Sequence, residues 1–223
     1  MRPASDHLHL GCGQTTPSGW VNVDGSWQVV LARHPKLKQL LVKLHVLPRA
    51  QAEIPWKADV MRLNLTAPLP FADGSFRSIF CSHTLEHLHY EDALRLLREC
   101  HRVLKKGGVC RFIVPDLESL VARYQQAKAA GDPQASSRFM EELYVHDKQR
   151  QRGALGMYYR LTSFHQHKWM YDAASLQDVF RQAGFSQVRP AKYLDSRMER
   201  VAEVEDAGRI LNGEGIVVEG TKE

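Results

Sequence analysis

The chain has 223 residues, 43% of them hydrophobic and 25% charged, and a formal net charge of +5, which suits one globular domain with a sizeable core. No apolar run approaches the ~20 residues needed to span a bilayer, and the opening Met-Arg-Pro-Ala-Ser-Asp has no apolar leader, so a cytoplasmic protein is expected. Cys12, Cys81, Cys100 and Cys110 are scattered without a CxxC pair, which indicates reduced thiols rather than a zinc or disulfide framework.

In chain order, Leu8 and Leu10 alternate in a stretch short enough for a buried strand, and the stretch breaks at Gly11-Cys12-Gly13. A second apolar run, Trp20 to Val23, closes on Asp24. Strand, glycine turn, strand, acid is the order in which a doubly wound α/β sheet meets a nucleotide-type cofactor. Glycines let the backbone approach the ligand closely, and the acid can accept hydrogen bonds from both ribose hydroxyls. A dinucleotide fits badly, however. The third glycine of GxGxxG is missing, and the short segment Gln14 to Gly19, with Pro17 inside it, leaves no room for a pyrophosphate-binding helix.

Ser26 to Leu47 is apolar at helical spacing, basic and free of acids, interrupted at Pro35 and stopped at Pro48. A helix covering one face of the sheet with solvated lysines is the plain reading. Contact of residues 33–49 with a membrane surface or lipid is the sharper one. Asp59 to Leu65 is expected to be a third strand, followed by a proline-interrupted turn through Ser75. Ser78 to Cys81 is a short buried fourth strand, Asp92 to Leu104 an amphipathic helix stopped by Lys105-Lys106-Gly107-Gly108, and Val109 to Val114 a fifth strand.

Helices are expected over about 117–130 and 136–150. With the polar stretch up to Tyr171 they form an insert, about 117–171, that would cover the cofactor edge as a lid. Asp172 caps a helix from Ala173 to Ala183, and Phe185 to Val188 and Gly215 to Val218 are the last strands. Residues 195–212 are charged and have no assignable element. Alternating strands and helices predict a parallel sheet with its ligand beyond the carboxyl ends of the strands. Those ends are Gly11 to Gly13, Asp24, Asn64, Ser82-His83 and Pro115-Asp116, all on one edge.

These residues resemble the class I S-adenosylmethionine-dependent methyltransferases, in particular the small bacterial-type subgroup akin to methyltransferase type 11. The resemblance rests on Leu8-His9-Leu10-Gly11-Cys12-Gly13, Trp20 to Asp24, Leu69 to Phe76, His83-Thr84-Leu85-Glu86-His87, Leu104 to Gly108 and Ala183-Gly184-Phe185. It implies a single Rossmann-like α/β domain with a basic helical insert at about 26–57. It also implies a seven-stranded, mostly parallel sheet of order 3-2-1-4-5-7-6, with strand 7 antiparallel and helices on both faces. By position in the family, Gly11, Cys12 and Gly13 flank the methionine part of the cofactor, and Asp24 holds the ribose. Asn64 and Leu65 lie by the adenine, and Ser82 and His83 lie nearest the transferable methyl. Asn64 stands where an acid is common, and Arg77 replaces the Asp usual before the fourth strand.

His83-Thr-Leu-Glu86-His87 also matches HxxEH, a zinc-hydrolase signature, but it follows a buried strand in a chain without other protease features. Glu86 and His87 are read as fixing a helix start, and no metal ligand is assigned. An acceptor hydroxyl or amine has a proton to lose, and a neutral histidine suits its removal. His83, His165 and His167 are the candidates, with Asp116 as a partner; His7, His9, His34, His45, His101 and His146 are taken as structural or solvent-exposed. The expected function is methylation of an O or N atom of a small-molecule or saccharide acceptor. The alternatives are an RNA methyltransferase, suggested by Arg150, Arg152, Arg160, Tyr158 and Tyr159, and a non-catalytic cofactor-binding regulator. DNA is not an expected partner.

Overall fold

The computed structural model describes residues 3–145, 166–211 and 215–223. Seven strands form one sheet: β1 (His7–Leu10), β2 (Val21–Asp24), β3 (Met61–Arg62), β4 (Phe76–Ser82), β5 (Leu104–Pro115), β6 (Ser186–Ala191) and β7 (Gly215–Thr221). Their order is β3-β2-β1-β4-β5-β7-β6. The pairs from β3 through β5 are parallel, and β7 runs antiparallel to both neighbours. The order and the antiparallel last strand are those the family resemblance implied. Two strands differ in extent from the sequence reading. β3 shrinks to two residues, although the Leu63 N–H still donates to the Asp24 carbonyl of β2 (3.1 Å). β5 begins at Leu104, directly after its helix, so Lys105 to Gly108 lie within the strand instead of capping the helix.

All four residues of β1 are buried, with the leucines on one face and the histidines on the other. The leucine face continues through Ile79, Cys81, Phe112 and Val114 and is packed by α4 (Tyr90–Val103) and α7 (Ala173–Gln182). α4 buries Ala93, Leu96, Leu97, Cys100 and Val103, the apolar stripe that the helical spacing placed there. α7 starts with a reciprocal cap between Asp172 and Ser175 and buries Leu176, Val179 and Phe180. α5 (Leu117–Ala129) and α6 (Ala135–Leu143) follow β5 as the first part of the expected insert.

The opposite face is closed by the charged segment that the sequence left unassigned. Met198, Val204 and Ile210 of that segment pack with Trp20, Phe80, Val109 and Ile113, and two 3₁₀ turns, Val201–Glu203 and Ala207–Arg209, carry it across the sheet. His9 is buried here at 2% exposure, edge-on to Phe80 and Trp20, and burial lowers its pKa to about 4. Arg111 pins the cover to β5. Fully buried, it donates to Glu205 (2.8 Å), Glu219 (3.2 Å) and the carbonyls of Asp195 (2.9 Å) and Lys192 (2.7 Å). Burial of such an ion is tolerable only with this degree of pairing.

The basic segment forms α1 (Gln28–Ala32), α2 (Pro35–Lys43) and α3 (Arg49–Ala52). Pro35 occupies the first turn of α2, where its missing N–H costs nothing. α2 buries none of its residues, so it does not cover the sheet as the plain reading had it.

Arg111→Met leaves Glu205 a buried carboxylate without its cation and Glu219 with Arg189 alone (3.3 Å). Urea denaturation is expected to show a loss of about 3–5 kcal/mol, and a loss under about 1 kcal/mol would contradict the pinning role.

Candidate active site

Because β1 pairs with both β2 and β4, the ends of these three strands converge. Gly11, at φ +61°, leaves β1 directly against the turn after β4; a Cβ on Gly11 would overlap Thr84 Oγ1. Gly13, at φ +51°, faces open space where a Cβ would project. Its N–H donates to Asp24 Oδ2 (3.0 Å), and the Ser26 N–H donates to Oδ1 (2.8 Å). Burial raises the Asp24 pKa, and the two N–H donors partly counter it. Each carboxylate oxygen keeps a lone pair for a further donor.

The rest of the cradle is polar at two unfilled points and apolar behind. Ser82 Oγ and Thr16 Oγ1 are buried without a hydrogen-bond partner. Cys12 turns into a small cluster with Val29, Val60 and Trp56. Burial, helped by the Asp24 charge, pushes its thiol up to about 12, so its contribution at neutral pH is steric. Asn64 is exposed, and its Oδ1 accepts from the N–H and hydroxyl of Thr66 (3.1 and 2.9 Å), while the Leu65 side chain is buried in the main core. A nucleoside with two vicinal hydroxyls fits these donors and acceptors: Asp24 for the hydroxyls, the Gly13 opening for close approach.

Beside the cradle stands a histidine–carboxylate cluster. His83 adopts φ +48°, an uncommon backbone for a residue with a Cβ. Its Nδ1 lies 3.5 Å from Glu86 Oε1 and its Nε2 lies 3.4 Å from the Arg209 carbonyl. Burial lowers the His83 pKa to about 4, so the ring is neutral at pH 7. Glu86 is fully buried, and burial raises its pKa to about 8. The His87 ring lies 4.9 Å from that of His167, whose main-chain N–H donates to the Tyr144 carbonyl.

Asp116, expected to partner a histidine, instead caps α5, accepting from the Glu118 N–H (3.1 Å) and the Ser119 hydroxyl. His165 and the Arg150, Arg152, Arg160, Tyr158 and Tyr159 set lie outside the described residues. A cavity of about 230 Å³ lined by Arg77, Lys105, Gly108, Arg197 and Glu199 opens towards the other ends of β4 and β5 and touches none of the candidate residues.

Residues 8–112 match the methyltransferase domain family. Over that stretch the chain is similar to the methyltransferase domain family, and its sheet order is the one expected of the class I S-adenosylmethionine-dependent enzymes. Among curated proteins it resembles the "probable methyltransferase" LtbC of Aspergillus luteorubrus, at 34% identity over 96 residues. That stretch is 36% of this chain and 34% of the fungal one, so the chain spans about a third of that relative. Among solved structures, a methyltransferase of Thermotoga maritima described as a "possible histamine N-methyltransferase" superposes with a TM-score of 0.51 at 20% identity, over 99% of this chain and 83% of that one. The PH0226 protein of Pyrococcus horikoshii superposes with a TM-score of 0.53 at 13% identity, over 100% and 84% of the two chains. These two likenesses are of fold. The cofactor of the methyltransferase family is S-adenosylmethionine, and the Gly13–Asp24 cradle suits its nucleoside.

The sequence reading missed Glu86 as a member of the histidine cluster and Arg209 as the residue that holds His83. HxxEH was the visible signal for the first. Nothing in the sequence marks the second, 126 residues away from His83.

Gly11→Ala is expected to lower stability by about 2 kcal/mol or more, from backbone strain at positive φ and the clash with Thr84. Adding Thr84→Gly should restore part of the melting temperature; an unchanged melting temperature in the double variant would mean that the loop does not rest on this turn.

Proposed function

We propose that the chain transfers the methyl group of S-adenosylmethionine to an O or N atom of a small-molecule or saccharide acceptor. The observation that supports this reading best is the Asp24 carboxylate, oriented by two main-chain N–H groups and beside the open space at Gly13, next to a neutral His83. The sulfonium already activates its methyl group, so the protein mainly positions the acceptor and excludes water. The acceptor lone pair forms the new bond to carbon as the carbon–sulfur bond breaks, and the electron pair of that bond stays on sulfur. The acceptor proton leaves as the methyl arrives. His83, with a pKa near 4, is a weak base that suits a proton made acidic by the positive charge developing on the acceptor.

Titration calorimetry with S-adenosylmethionine and its demethylated product tests the assignment. Both should bind. Asp24→Asn should weaken binding at least tenfold through loss of charge-assisted bonds, and His83→Ala should leave it within about threefold. Failure of either ligand to bind the unaltered chain removes the assignment.

The exposed face of α2 supports a contact between residues 33–49 and an anionic membrane surface. Leu37, Leu40, Leu44 and Val46 are 46–60% exposed, among Lys36, Lys38, Lys43 and Arg49 with no acid in the segment. Co-sedimentation should show binding to phosphatidylglycerol-containing vesicles and little to pure phosphatidylcholine, with loss on replacing the three leucines by serine. Equal binding to both vesicle types, or none, contradicts it.

A further inference from the structure

Glu86 is the chemical anomaly of the molecule. Its carboxylate is fully buried, both oxygens lack a hydrogen-bond partner, and it sits on a turn that places histidines on either side of it. A buried carboxylate left so costs several kcal/mol unless it is neutralised or finds a cation. Three histidines surround it. One ligating atom from each of Glu86, His87 and His167 lies within 4.8 Å of the others. His83 Nδ1 is 3.5 Å and His87 Nε2 3.9 Å from Glu86 Oε1.

The histidines are held in the tautomer that a metal ion requires. A carbonyl oxygen only accepts, so the contacts of His87 Nδ1 with Gln166 O (3.2 Å) and of His83 Nε2 with Arg209 O (3.4 Å) put the ring protons on those nitrogens. His87 Nε2 and His83 Nδ1 are then the unprotonated nitrogens, and both lie towards the carboxylate. This is the outer-shell arrangement that orients metal-bound imidazoles. Among the described residues, His167 Nδ1 is buried without a hydrogen-bond partner. The segment carrying it is tied to the turn by the Lys168 and Trp169 N–H groups, which donate to the Glu86 carbonyl (2.7 and 3.2 Å).

The spacing separates a cation from a shared proton. The 3.9 Å gap between Glu86 Oε1 and His87 Nε2 exceeds a hydrogen bond. It is nearer to the ~3.4 Å edge of a tetrahedron whose ligands stand about 2.1 Å from its centre. Protonation of Glu86 supplies a single hydrogen across such a gap and leaves His167 Nδ1 unsatisfied.

We infer that Glu86, His87 and His167 form a binding site for a divalent transition-metal cation. Imidazoles with one carboxylate suit zinc, manganese or iron better than magnesium or calcium. On the methyltransferase reading, this cation stands beside the glycine loop, through the Gly11–Thr84 contact, where it can bind an acceptor oxygen and lower its pKa. Binding of the metal itself does not depend on that reading.

The test uses the full chain stripped with EDTA and titrated with Zn²⁺ and Mn²⁺ by calorimetry, with Mn²⁺ also followed by electron paramagnetic resonance. One equivalent should bind, and Glu86→Gln and His167→Ala should each weaken it at least tenfold. Asp24→Asn should leave metal affinity unchanged while impairing nucleoside binding, so failure of the metal site and failure of the methyltransferase reading are told apart. No binding of either ion to the unaltered chain, or undiminished affinity in the variants, overturns the proposal. If far-UV circular dichroism shows Glu86→Gln unfolded, His167→Ala, at a half-buried position, decides the outcome.

Discussion

The contact between Gly11 and Thr84 is the constraint on which the site depends. β1 is completely buried and flanked by β2 and β4, so the chain leaving it can only turn over the neighbouring strand ends. It turns at positive φ with no Cβ, and the loop therefore rests on the turn after β4. Two groups of residues meet as a result. One is the cradle of Gly13 and Asp24; the other is the His83–Glu86–His87 turn. A side chain at position 11 would separate them.

Buried charge is handled in two different ways at Arg111 and at Glu86. Arg111 is paired with two carboxylates and two carbonyls, so its burial fastens a helix-poor segment over β5. Glu86 has no such partner among the described residues, and burial alone lifts its pKa. The first arrangement stabilises a cover that has little regular structure of its own. The second leaves a carboxyl group with a raised pKa beside the glycine loop. The Arg209 carbonyl links the two, since the segment fastened by Arg111 ends in the turn that touches His83.

The sequence determined the local chemistry. Period-two and helical patterns located β1, β2, β4, β5, α4 and α7, because each buries a face that its own residues must make apolar. The glycine turn followed by Asp24 marked the cradle for the same reason: the residues that shape it are neighbours along the chain. The shortened gap after Gly13 was enough to set aside a dinucleotide.

What only the tertiary structure decided are the partnerships between distant residues. Arg111 is balanced by Glu205 and Glu219, 94 and 108 residues later, which only the fold places against it. Residues 195–211 carried no period, because a cover built from 3₁₀ turns and single apolar anchors has none. The leucines of α2 had the spacing of a buried stripe, yet nothing in their own pattern says whether a sheet lies opposite; none does. Asp116 had the position of a histidine partner, but its carboxylate is closer to the open N–H groups of the helix it begins. His167 meets Glu86 and His87 because main-chain hydrogen bonds bring segment 166–169 onto their turn, a contact that side-chain spacing along the sequence cannot express.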